Sequence, residues 1–109
     1  MALNTTLETK EGIATITLAG DLDASTANIF KQEVEAAATS NPKRLVLMMQ
    51  DLNYMASAGL RVLIFAKQKM GTDVDIYIIS PQEGVLDTLE KTGYAQSVFV
   101  MTLDEYNAQ

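Results

Sequence analysis

Ser57 is the residue whose surroundings best equip it for chemistry, within Asp51-Leu52-Asn53-Tyr54-Met55-Ala56-Ser57-Ala58-Gly59-Leu60. The continuously apolar Leu45-Val46-Leu47-Met48-Met49 before it reads as a strand buried on both faces. After it, Leu60, Leu63, Ile64 and Met70 recur at helical spacing. A serine at that junction lies beside unpaired backbone N–H groups and the positive end of a helix dipole. Such a place can carry a phosphate, and a phosphate there alters what can dock. The same position also suits a plain helix cap, a role worth ~1 kcal/mol.

The carboxylates offer a second chemistry. Asp21, Asp23 and Asp51 fall where the second and third strands should finish. They read either as an acidic patch beside Ser57, meeting kinase cations or Mg²⁺, or as a helix cap at Asp23 and solvated loop charges elsewhere. For Asp51 the solvated charge is preferred. A phosphoaspartate receiver would use Asp51 as acceptor and Asp21 and Asp23 for Mg²⁺, but a receiver begins β-α-β, without a leading hairpin.

Other chemistries are closed. The 109 residues contain no Cys, which removes disulfides, thiolate nucleophiles and zinc–thiolate sites. They contain no His, the usual base of a serine hydrolase and the commonest metal ligand. A binding module is the expectation, not an enzyme, and no cofactor or metal is expected. No Gly-rich phosphate loop supports nucleotide binding. The net charge of −6, with only 8 Lys and Arg, disfavours nucleic acid and anionic membrane surfaces. A protein partner with a basic patch suits it better. Met1-Ala2-Leu3-Asn4 lacks the basic start of a signal peptide, and no apolar run approaches the ~20 residues of a membrane helix. Cytoplasmic residence is expected.

The elements that would position Ser57 follow from periodicity and punctuation. Residues Leu3 to Thr9 alternate as a half-buried edge strand, and Glu11-Gly12 turns the chain into the β-branched run Ile13 to Ala19. Gly20-Asp21-Leu22-Asp23 closes that strand, with Asp23 as expected cap of a helix from Ala24 to about Thr39. Its inward stripe is Ala27, Phe30, Val34, Ala37 and Ala38, and Asn41-Pro42 stops it. The buried strand is expected at 45–49, with Met48 and Met49 in the core. The second helix runs from Ser57 to Met70 and ends at Gly71. Val74 to Ile79 is a strand, and Ser80-Pro81-Gln82-Glu83 reads as a capping box with Pro at the first helical position. A third helix follows to Gly93, then a strand Val98 to Met101 and a terminal helical turn, Leu103 to Asn107. One 109-residue α/β domain results: an N-terminal β-hairpin, then alternating β and α. It predicts a mixed sheet of four to five strands, with about four helices packed mainly on one side.

Around Ser57, Gly59 allows close approach either of a facing strand or of a partner's backbone. Val62 and Phe65 lie off the expected helix stripe and form an apolar docking patch if exposed, core if not. Tyr54 and Met55, apolar in an expected loop, lean towards a contact surface.

Three segments together carry a resemblance over nearly the whole chain: Leu18-Ala19-Gly20-Asp21-Leu22-Asp23, Asp51 through Leu60, and Leu89-Glu90-Lys91-Thr92-Gly93-Tyr94. Their order resembles the STAS domain of anti-sigma factor antagonists and of sulfate-transporter tails. In such antagonists a serine heads the second helix within Asp-Ser-Ser/Thr-Gly-Leu. Ser57, Gly59 and Leu60 match that pattern, whereas Ala56 and Ala58 stand where the family has Asp and Ser/Thr. The resemblance implies a partner switch. The unmodified protein binds an anti-sigma factor that is also a serine kinase, phosphorylation of Ser57 ends the binding, and a PP2C-type phosphatase restores it. The implied contact surface is Asp21, Asp23, Tyr54, Met55, Ala56, Ser57, Ala58, Gly59 and Val62. A STAS module that binds without being phosphorylated is the alternative.

Overall fold

The computed structural model describes residues 2–109; Met1, which entered only the leader reading, lies outside them. Alternation of apolar and polar residues pairs β1 (Leu3–Lys10) with β2 (Ile13–Leu22) as an antiparallel hairpin, Lys10 facing Ile13 and Leu3 facing Gly20. The tight turn needs positive φ at both central residues, and Glu11 (53°) and Gly12 (81°) supply it. The chain continues as α1 (Ala27–Ala38), β3 (Arg44–Met55), α2 (Ser57–Met70), β4 (Asp75–Ile79), α3 (Glu83–Lys91), a 3₁₀ turn at Tyr94–Ser97, β5 (Phe99–Met101) and α4 (Leu103–Asn107).

The five strands lie in the order β1-β2-β3-β4-β5. β2 to β5 are mutually parallel, and β1 alone runs against them. Parallel neighbours force each connection to cross the sheet, which is why helices intervene. Side chains alternate across each strand, so Leu45 and Leu47 enter one core while Val46 enters another. In the larger core, Phe30, Val34 and Ala37 of α1 meet Val62, Leu63 and Ala66 of α2 and Val85 and Leu89 of α3. On the opposite face, Leu103 and Tyr106 of α4 cover Val46, Tyr77 and Ile79. The mixed five-stranded sheet, with three of four helices on one face, matches the expectation.

Several local expectations are corrected. β3 does not stop at residue 49 but runs to Met55, because Leu52 and Met55 keep feeding the core from an otherwise exposed segment. Met49 is fully buried, but Met48 is only half-buried, on the α4 face. α1 starts at Ala27 with Thr26, not Asp23, in the cap position. Ser80 does not cap α3: its φ is 51°, and its hydroxyl accepts the Leu103 N–H at 2.9 Å, tying β4 to α4. The capping box belongs to α4 instead, where Thr102 and Glu105 exchange bonds of 3.1 and 2.8 Å.

Candidate docking surface

The parallel strands β2 and β3 finish together, Asp21 opposite Tyr54 and Leu22 opposite Met55. The Ala56 N–H then donates to the Leu22 carbonyl at 2.8 Å, one last rung before the chain coils. Ala56 is still extended (φ −88°, ψ 174°) and holds the cap position of α2 without a side-chain acceptor. Ser57 is therefore the first helical residue rather than the cap, so its exposed hydroxyl does not serve the helix in the way a cap would. The Ala56 carbonyl takes the N–H groups of Gly59 (3.0 Å) and Leu60 (3.2 Å), and those of Ser57 and Ala58 precede the helical ladder. No acidic residue occupies the first turn. The positive helix end is thus free to face an anion on the Ser57 oxygen.

Gly59 has a packing explanation. A Cβ there would sit 2.5 Å from Leu22 Cγ, 2.7 Å from Leu22 Cδ2 and 3.0 Å from Met55 Cγ. The missing side chain lets α2 press its first turn onto the ends of β2 and β3. Gly59, Val62, Leu63 and Ala66 form the buried line of α2; of the expected stripe only Leu63 lies on it, Leu60 and Met70 are half-buried and Ile64 is exposed. Gly59 and Ala66 are small residues, which periodicity of large apolar side chains passes over.

Of the expected contact residues, Tyr54 is 54% exposed and Ser57 exposed, with Ala56 and Ala58 half-buried beside them. Met55 (5% exposed) and Val62 (6%) are corrected: their side chains belong to the core and shape the surface only from beneath. Phe65 is likewise half-buried, with the Lys31 ammonium 4.9 Å from its ring centre. The apolar side chain α2 does present is Ile64, on the same exposed line as Ser57, Arg61 and Gln68. Spacing of i, i+4, i+7 and i+11 opposite the true buried line is the signal that identifies it.

The three aspartates do not form one group. Asp21 is buried at the end of β2, its carbonyl accepting the Thr26 hydroxyl at 2.8 Å. Asp23 Oδ1 accepts from the Ser25 hydroxyl (2.7 Å) and the Ser25 N–H (2.9 Å). Those bonds, the Ser25 hydroxyl foremost, hold its carboxyl below the ordinary 3.8, against a smaller opposing effect of desolvation. Asp23 thus closes the turn that leads into α1. Asp51 is exposed on β3 opposite Ala19, three residues before Tyr54. No cluster of three or more potential metal ligands occurs among the described residues, so the donor set a receiver would need is not assembled. Nor is any helix there long and apolar enough to cross a membrane.

Residues 4–107 match the STAS domain. The anti-sigma-F factor antagonist RsfB of Mycobacterium tuberculosis is 23% identical over 79 residues, 72% of this chain. The match spans 65% of that relative's length. An anti-sigma factor antagonist from Mycobacterium paratuberculosis superposes with a TM-score of 0.87 at 22% identity, covering 95% of this chain and 90% of the other. The Bacillus cell fate determinant SpoIIAA in its phosphorylated form gives 0.73 at 15% identity, covering 96% and 97%. At these identities the superpositions show a shared fold; the match along nearly the whole sequence shows more, and this chain belongs to the STAS-domain family.

Proposed function

We propose that this chain is an anti-sigma factor antagonist that regulates by binding rather than by catalysis. Its partner is an anti-sigma factor with serine-kinase activity, in the cytoplasm. Phosphorylation of Ser57 breaks the complex, and a PP2C-type phosphatase reverses it. The observation that carries the reading is the exposed Ser57 hydroxyl, first in a 14-residue helix, between half-buried Ala56 and Ala58 and three residues after exposed Tyr54. The likeness to RsfB, itself an anti-sigma-F factor antagonist, supports the class of partner.

The energetics favour a switch. In the free protein, a phosphate of charge about −1.5 to −2 gains ~0.3–1 kcal/mol from the helix N-terminus. Covered by a partner, the same charge is desolvated among Tyr54, Ala56 and Ala58, at several kcal/mol unless paired. The second effect is larger, so modification releases the partner. Ala56 and Ala58, which replace the polar residues of the resembling antagonists, favour a second reading: constitutive binding without phosphorylation.

The test is to mix the chain with its organism's serine-kinase anti-sigma factor, first for binding and then with MgATP for intact-mass analysis. We expect complex formation, one phosphoryl group lost in Ser57→Ala, and binding by Ser57→Asp weakened roughly 100-fold or more, equivalent to ~2.7 kcal/mol. Failure of the unmodified chain to bind overturns the antagonist reading. Binding by Ser57→Asp equal to that of the natural chain leaves only the constitutive module.

A further inference from the structure

An ion pair already present in α3 shows what Arg61 could do. Asp87 and Lys91, one turn apart, form an ion pair of 3.0 Å, the carboxylate N-terminal to the cation. That is the favourable orientation for an i,i+4 pair. In α2 the same spacing and order recur as Ser57 and Arg61, with an uncharged hydroxyl in the acid's place. Both residues are exposed on one line of the helix, separated by about 6 Å of rise and about 40° of rotation. Arg61 makes no ion pair or side-chain hydrogen bond among the described residues. No acidic residue in the first turn of α2 competes for it.

We infer that Arg61 is the built-in counter-ion of a phosphorylated Ser57, completing in α2 the pair that Asp87 and Lys91 already make in α3. This rests on Ser57 being the modified residue and deepens that reading. A guanidinium presents paired N–H donors that match phosphate oxygens. While Ser57 is unmodified, Arg61 stands free on the docking line between Ser57 and Ile64. Once Ser57 is phosphorylated, the guanidinium turns to the phosphate, so modification removes an available cation from the surface besides adding negative charge. The pair also holds the phosphate against the first turn of α2, where the free amides of Ser57 and Ala58 lie.

The experiment installs phosphoserine at position 57 during translation, so it does not depend on any kinase, and follows the phosphate by ³¹P NMR through its second ionisation. With Arg61 present, that ionisation is expected roughly 0.2–0.4 pH unit lower than in Arg61→Gln, the shift an i,i+4 pair corresponds to. Arg61→Lys restores part of the shift, and in urea the three proteins titrate together because the helix is gone. Gln keeps the helix propensity of Arg, so the comparison does not rest on unfolding. Coincident titrations of the folded proteins overturn the inference, as does a shift that survives in urea. Absence of kinase modification would instead sink the switch while leaving this result standing.

Discussion

Gly59→Ala tests how tightly α2 is seated on the strand ends. In an ordinary exposed helix this exchange gains up to ~1 kcal/mol. Here the new methyl would lie 2.5 and 2.7 Å from Leu22 Cγ and Cδ2 and 3.0 Å from Met55 Cγ. Leu22 is fully buried and Met55 nearly so, which leaves neither side chain open space to enter. Relief requires either an off-rotamer Leu22 or a lift of the first turn of α2, and such overpacking costs ~1–3 kcal/mol. With the propensity gain subtracted, the net change runs from about zero to a loss of ~2 kcal/mol, which for about 100 residues lowers Tm by up to roughly 8–16 °C. Gly84→Ala is the internal control. It lies exposed in the first turn of α3 with nothing within 4 Å of the added carbon, so the same exchange should raise Tm. Urea and thermal unfolding followed by circular dichroism measure both. If Gly59→Ala gains as much stability as Gly84→Ala, the close approach is not what fixes α2, and the placement of Ser57 loses its explanation.

Two further outcomes follow from buried polar groups. Thr26→Val keeps the shape but removes the hydroxyl that donates to the Asp21 carbonyl (2.8 Å) and accepts the Asp23 N–H (2.9 Å); a loss of ~1–3 kcal/mol in urea unfolding is expected. Tyr94 donates its hydroxyl to the Leu63 carbonyl at 2.7 Å, and burial pushes its ionisation well above the ordinary 10.0. A tyrosine with a raised folded pKa binds its proton more tightly when folded, so its contribution persists below about pH 10 and is lost as pH rises further. The urea midpoint should therefore fall more steeply above about pH 10 in the natural chain than in Tyr94→Phe; parallel curves would refute this.

What could be read from the sequence depended on whether large apolar side chains carried the pattern. The hairpin, the alternation and the α1 stripe are legible because Phe30 and Val34 and the strand Leu and Ile residues are of that kind. The length of α2 is legible, but its buried face is rotated from the expected one, because Gly59 and Ala66 carry half of that face and look neutral to a hydrophobicity count. The full length of β3 is not legible for a related reason: beyond residue 49 only Leu52 and Met55 turn inward, among exposed Gln50, Asp51, Asn53 and Tyr54. The spacing of Ser80 to Glu83 imitates a cap, whereas the serine's actual partner, Leu103, is distant in sequence. Ser57 itself was legible as a strand–helix junction. Its precise rung, first helical residue rather than cap, was set by the Leu22 carbonyl, a contact no local pattern encodes.

The extension of β3 to Met55 has a thermodynamic consequence. The proposed docking surface includes the tail of the central strand, stitched to β2 as far as Leu22 and Met55. Little motional freedom is left there to freeze on association, so the penalty is mostly that of lost tumbling. A rigid platform of this kind engages and lets go without refolding. Under the proposed switch, charge rather than shape then sets how long the partner stays.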